Sequence, residues 1–205
     1  MKSSKKNATI FIVIFVIAAV FGVKFFLSSK RNNQSSIIEA RVKGDKKAPL
    51  QIVEFIDFQC PACAMGAKYL KEFMKENPSV VHLEMKYFPL KSKAYGVLSA
   101  QYVECASKQG KFWSFHDYLV DRQAQWRKLT DAKPAFELMA EELQLDKAQL
   151  DKCLVDEKTT EIIFKDKKEG QDLGIRSTPT YFVNGEMVVG PKNLKEKLEH
   201  YIKNN

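Results

Sequence analysis

Glycine and proline are scarce in this chain, 9 and 7 among 205 residues. With 45% hydrophobic residues beside them, the chain is not collagenous, wholly disordered or a mini-protein. Histidine is scarcer still: His82, His116 and His200 are the whole supply. By pattern each reads as ordinary, one on a strand, one on an aromatic helix and one near the C-terminus. Cysteine is limited to Cys60, Cys63, Cys105 and Cys153. None stands before Cys60, so a lipid-modified N-terminal cysteine is excluded. A zinc site would need two further ligands for Cys60 and Cys63. Cys105 and Cys153 are too far apart to form a second close pair, and no histidine stands at a short spacing.

Excess charge is also missing from most of the chain. Lys plus Arg number 33 against 25 Asp plus Glu, a net +8. Residues 1–47 hold ten of those bases and two of the acids, which leaves 23 of each sign in residues 48–205. A nucleic-acid-binding domain carries its surplus on the folded face. Here the surplus sits in the tail, and that class is set aside.

The tail has its own reading. After Lys2, Lys5 and Lys6, residues 7–23 carry no charge, and Phe25, Phe26 and Leu27 extend the apolar run past Lys24. A lysine near a helix end can snorkel to the headgroups, and roughly 20 apolar residues span a bilayer. Residues 1–27 therefore read as a signal anchor or transmembrane helix. The competing reading is a cleaved signal peptide, which has a shorter apolar stretch and an Ala-x-Ala-like site. Residues 28–47 read as a basic tether, and residues 48–205 as one exported domain.

Within that domain, residues 50–58 (LQIVEFIDF) form an apolar, β-branched run of strand length. It leads into Cys60-Pro61-Ala62-Cys63 and a helical pattern to Glu76, with Met65, Tyr69 and Phe73 recurring at intervals of four. Residues 80–87 read as a second strand. Residues 92–172 read as a helical block, in which one helix runs from Lys111 to Gln125 and Asp146 and Gln149 make a capping-box pattern. Ser177-Thr178-Pro179-Thr180 precedes a short strand, Asn184-Gly185 is a hairpin turn, and a last amphipathic helix follows. The order is β-α-β, helices, then β-β-α.

A lone CxxC is weak, but its placement here carries chemistry. Cys60 follows a buried strand and opens a helix, where unpaired N–H groups and the macrodipole favour a thiolate. Pro61 suits the first helical position. Cys63 lies one turn on, close enough to close a small, easily reduced disulfide.

Strand, CPAC, helix, helical insertion, Thr178-Pro179, NG hairpin and final helix together resemble the thioredoxin superfamily. More closely, the chain resembles the DsbA-like thiol:disulfide oxidoreductases of the bacterial cell envelope, over residues 48–205. The resemblance implies an α/β thioredoxin fold with a helical insertion over about 92–172. It implies Cys60 and Cys63 as the redox pair, a cis Pro179 beside them, and Thr178, Pro179 and Pro61 at the substrate groove. It places a buried carboxylate at Glu54 that shuttles protons for Cys63; the plain alternative is a structural pairing of Glu54. Asp57 reads as a strand-end polar residue. One departure stands out: the dipeptide is Pro-Ala, whereas the strongest oxidases of the family tend to carry Pro-His.

For Cys105 and Cys153 two readings stand, buried free thiols or a structural disulfide. The exported setting and the family's insertion disulfide point to the second. A redox relay from that pair to Cys60 is a lesser alternative.

The expected activity is oxidation of cysteine pairs in exported polypeptides, with no dissociable cofactor, no metal and no nucleic acid. The implied partner is a quinone-linked membrane thiol oxidase of the DsbB or VKOR kind. Disulfide isomerase or reductase activity on the same fold, or a non-catalytic membrane-tethered thiol- or metal-binding module, are the alternatives. The expected setting is the extracytoplasmic side of the bacterial cell membrane, as a monomer.

Overall fold

Strand β2 (Leu50–Ile56) is the centre of a five-stranded sheet. The structure, a computed structural model, describes residues 40–204. The expected membrane anchor (1–27) and most of the expected tether lie outside those residues. Among the described residues no helix is long and apolar enough to cross a membrane.

The sheet order is β1 (Val42–Gly44), β3 (Val81–Tyr87), β2, β4 (Thr180–Val183), β5 (Glu186–Val189). Only β2 and β3 run parallel; the other pairs are antiparallel. Helix α1 (Pro61–Glu76) makes the β2–β3 crossover. The block α2 (Gly96–Ser107), α3 (Phe112–Asp121), α4 (Gln123–Trp126), α5 (Lys133–Glu142), α6 (Lys147–Leu154) and α7 (Glu157–Asp172) fills the gap between β3 and β4. Helix α8 (Pro191–Asn204) closes the chain. Asn184 and Gly185 both have positive φ, 50° and 85°, as a type I′ hairpin turn requires.

Strand periodicity assigns β2 to two cores. Leu50 and Ile52 pack with Leu70, Phe73, Tyr181, Val183, Leu194 and Leu198 between the sheet and α1 and α8. Phe55 turns to the other face and packs with Phe88 and Ile175. Glu54 alternates with Ile52 and thus points to the α1 side, where it is 1% exposed. The helical block joins the sheet through a larger core that includes Ile56, Phe58, Tyr87, Tyr102, Phe115 and Trp126.

Four local expectations need correction. Helix α1 buries Cys63, Ala64, Gly66, Ala67, Leu70 and Phe73, whereas Met65 is 58% exposed. The small residues govern that face: a Cβ on Gly66 would come within 1.9 Å of the Tyr181 hydroxyl. The single helix read from Lys111 to Gln125 is two, α3 and α4, divided at Arg122. The capping box is half formed. Asp146 accepts from the Gln149 N–H, but the Asp146 N–H donates to the Gln109 side chain instead.

The fourth concerns the tether, which does not extend to Lys47. Val42–Gly44 pairs with β3, and Arg41 is buried. Its guanidinium lies 2.6 Å from Glu104 Oε2 and 2.7 Å from Asp166 Oδ2, 4.4 Å above the Tyr87 ring. The Tyr87 hydroxyl donates to the same Glu104 oxygen at 3.0 Å. This network ties the entering chain to α2, α7 and β3. Next to it, Cys105 of α2 is bonded to Cys153 of α6.

Candidate active site

The turn between β2 and α1 is held from both sides. Asp57, 1% exposed, accepts the N–H groups of Gln59 and Leu90 at 2.8 and 2.7 Å, and its carbonyl accepts from the Cys60 N–H. From the helical block, the buried Gln123 amide donates to the carbonyls of Phe58 (2.6 Å) and Cys60 (2.9 Å). Gln59 donates to the Arg127 carbonyl. Cys60 is the N-cap of α1 and Pro61 its first residue, so the Cys60 sulfur stands at the helix end whose first N–H groups lack helical partners.

Both thiols are free, and they differ sharply. Cys63 is 0% exposed and Cys60 8%, which leaves Cys60 as the sulfur a partner can reach. The Cys63 thiol hydrogen-bonds to Cys60 and is the largest influence on it. Burial opposes ionisation, but backbone N–H groups of Cys63 and Ala62 and the side chain of Thr178 assist it. The balance holds Cys60 down at about 5. Burial, reinforced by Cys60, pushes the Cys63 thiol well above the ordinary range. One cysteine is thus a thiolate at neutral pH and its neighbour a thiol.

Opposite the dithiol, the Thr178–Pro179 peptide bond is cis. Cys60 Sγ lies 3.4 Å from the Thr178 carbonyl oxygen. The Thr178 hydroxyl is buried and closes no hydrogen bond of normal geometry, yet it acts on both cysteines by favouring their ionised forms. The Pro179 carbonyl accepts from Gly190, which fixes that loop to the end of β5.

A thioredoxin family model matches residues 36–204. The chain belongs to the thioredoxin family. BdbD from Bacillus subtilis, in its oxidised form, superposes with a TM-score of 0.67 at 24% identity, covering 81% of this chain and 95% of that one. The thiol-disulfide exchange protein alpha-DsbA2 from Wolbachia pipientis gives 0.66 at 16% identity, covering 84% and 94%. This chain therefore shares its fold with both proteins. Among curated proteins, the Na(+)/H(+) antiporter NhaA 3 of Salinispora tropica is 33% identical over 156 residues, 75% of this chain. The chain spans about a quarter of the length of that relative, 23%, and ion transport is carried over from none of it.

In this thioredoxin-family domain the expected site residues fall into two groups. Cys60, Cys63, Pro61, Thr178 and Pro179 meet at one end of the sheet. Glu54 lies deeper, opposite Tyr181 on β4 and Met85 on β3. Burial pushes its carboxyl up to about 8, while the nearby Tyr181 hydroxyl favours the ionised form. Neither Glu54 Oε1 nor the Tyr181 hydroxyl closes a hydrogen bond of normal geometry. The Tyr181 phenol is itself held neutral, first by burial and then by Glu54, Cys63 and Cys60. Cys105 and Cys153, bonded to each other, stand apart from this group in α2 and α6.

Sequence reasoning missed Tyr181, Gln123 and His116. Tyr181 carried a signal, since it follows Thr178-Pro179 on a strand that alternates inward. Gln123 carried none: its role arises only from the break between α3 and α4. His116 looked ordinary on its aromatic helix, yet it is 5% exposed, with Phe58, Phe112 and Trp113 around its ring.

Proposed function

We propose that the protein is a thiol:disulfide oxidoreductase that oxidises cysteine pairs of exported polypeptides through a Cys60–Cys63 disulfide. The observation that carries this is the split between the two thiols, Cys60 at about 5 and Cys63 far above it. A thiolate stabilised at Cys60 favours the reduced enzyme and makes its disulfide a stronger oxidant. With Cys60 ionised about two pH units below neutrality, that amounts to about 3 kcal/mol, or roughly 60 mV at pH 7. The gain arises without a histidine in the dipeptide, from Cys63, the first turn of α1 and Thr178.

In this reading a client thiolate attacks Cys60 of the disulfide, and Cys63 leaves and takes a proton from Glu54. The client's second thiolate then attacks the mixed disulfide, the client departs oxidised, and Cys60 remains a thiolate. Thr178, Pro179 and Pro61 border Cys60 and receive the client backbone. Re-oxidation needs a membrane thiol oxidase of the quinone-linked kind. The Cys105–Cys153 bond supports an extracytoplasmic setting, where disulfides persist. Residues 1–27 as a membrane anchor and residues 28–40 as a tether complete the proposal. Isomerase or reductase work on the same site is the second reading, favoured by the Pro-Ala dipeptide.

The test is oxidative refolding of a reduced, secreted test protein by the oxidised enzyme, with Cys60→Ala as control. Stoichiometric, rapid oxidation that C60A abolishes supports the proposal. Equal rates with C60A contradict it.

A further inference from the structure

The buried carboxyl of Glu54 has to exchange its proton with water, and on the side of the dithiol both Cys63 and Tyr181 are buried. On its other side lies a cavity of about 10 Å3 lined by Glu54, His116, Asp117, Lys71, Lys43 and Trp113. A volume of roughly 10–15 Å3 holds one water when polar partners are present. Two are: Glu54 Oε1 and His116 Nε2 are both buried, and neither closes a hydrogen bond of normal geometry in the protein, the Tyr181 hydroxyl beside Glu54 included. Two residues that line one water-sized cavity each keep an unpaired buried polar atom, a costly arrangement unless a water joins them.

The other ring nitrogen of His116 continues the path. Nδ1 lies 3.0 Å from Asp117 Oδ1, which fixes the ring. Asp117 Oδ2 lies 2.9 Å from the exposed Lys71 Nζ, and Lys71 also reaches Asp121 at 3.6 Å. Burial alone would raise Asp117, but His116 and Lys71 hold it at about 2. The charged and titratable groups lining this cavity are thus Glu54 from β2, His116 and Asp117 from α3, Lys71 from α1 and Lys43 from β1; Tyr181 from β4 stands opposite Glu54 itself.

We propose that His116, through one water in this cavity, relays protons between Glu54 and the Asp117–Lys71 pair at the surface. The inference rests on the role proposed above for Glu54. During client oxidation the Cys60–Cys63 bond breaks, the client sulfur bonds to Cys60, and the departing Cys63 sulfur takes the proton of Glu54. The water then protonates Glu54 and is itself reprotonated from His116, which recovers a proton from solvent beside Asp117. One proton enters and one ends on Cys63. His116 does not touch the reacting sulfurs and is a positioning and relay residue.

The test follows the reduction of the oxidised protein by dithiothreitol in stopped flow, across pH 6 to 8, for the wild type, His116→Phe and Glu54→Gln. General acid–base steps contribute roughly 100-fold or more, and the relay is expected to give H116F a slowing of about 10-fold or more. Added imidazole should restore that rate in a concentration-dependent way, and the Cys60 thiolate titration should not move. A slow E54Q with H116F at the wild-type rate would overturn the relay and leave the role of Glu54 standing. A slow H116F that no buffer rescues also overturns it, since that is damage to packing. An E54Q at the wild-type rate removes the role of Glu54 and the relay with it. Should H116F fail to fold, His116→Gln carries the same outcomes.

Discussion

Cys60 Sγ lies 3.4 Å from the carbonyl oxygen of Thr178, 118 residues further along the chain. The contact joins the β-α-β half of the fold to the β-β-α half at the reactive sulfur. The first half supplies the Cys63 thiol and the Cys63 and Ala62 N–H groups that favour the Cys60 thiolate, and the second adds the Thr178 side chain. The helical block adds a third support, through Gln123 on the carbonyls of Phe58 and Cys60.

Thiolate absorbance is expected to titrate with a midpoint near pH 5 in the reduced protein, at about the value that Cys60 shows. Because the Cys63 thiol is the largest influence, Cys63→Ala should move the midpoint upward. Absorbance at 240 nm against pH reads both, and a midpoint that C63A leaves in place would show that the first turn of α1 and Thr178 set it without the second thiol.

Stability should depend on pH differently in the two redox states. Cys60 is depressed from 9.0 to about 5, so in the reduced protein the unfolded chain binds more protons between those values. Its contribution to stability therefore grows as pH rises from about 5 to 9 and is lost as pH falls through 5. Glu54 is raised from 4.5 to about 8, so the folded state binds more protons and stability falls over that window. Of these two contributions, only that of Glu54 remains in the oxidised protein. The melting temperature of the reduced form minus that of the oxidised form should increase with pH from 5 to 9, measured by calorimetry.

Glu54→Gln should remove the downward slope between pH 4.5 and 8 and make the oxidised protein more stable at pH 8 than the wild type. The same variant should slow disulfide reduction by about 100-fold, the usual scale of a lost general acid. Equilibrium denaturation and stopped flow on one preparation separate the two effects.

The double variant Cys105→Ala/Cys153→Ala loses a bond that closes a 48-residue separation. The chain-entropy model puts the loss at about 4 kcal/mol. The thiolate titration of Cys60 should be unchanged, because the bond joins α2 to α6 away from the dithiol. Urea unfolding and the titration check the two halves of this expectation.

Arg41→Met leaves Glu104 and Asp166 buried without their cation, and removal of one partner from a buried pair costs about 3–5 kcal/mol. The triple change with Glu104→Gln and Asp166→Asn should recover much of it. A single variant as stable as the wild type would show that the network contributes nothing net.

Much of this was legible from residues 50–63 and 177–185, where local rules and tertiary structure agree. An apolar β-branched run, a proline at the first helical position and an Asn-Gly turn each act over a few residues, and each formed. What escaped depended on distant partners. Arg41 read as part of a basic tail because its acids, Glu104 and Asp166, lie in two other helices. Met65 shared a four-residue period with Tyr69 and Phe73, but Gly66 and Ala67 give α1 its close approach to Tyr181 and rotate Met65 outward. His116 became informative only when β2 brought Glu54 to the other side of its cavity.

The reduction potential of the Cys60–Cys63 pair, measured in glutathione buffers at pH 7, tests the central claim most directly. Stabilisation of the Cys60 thiolate calls for a value well above the roughly −270 mV of thioredoxin, and for that value to fall back when Thr178 is changed to Val. A potential at or below −270 mV would contradict an oxidase.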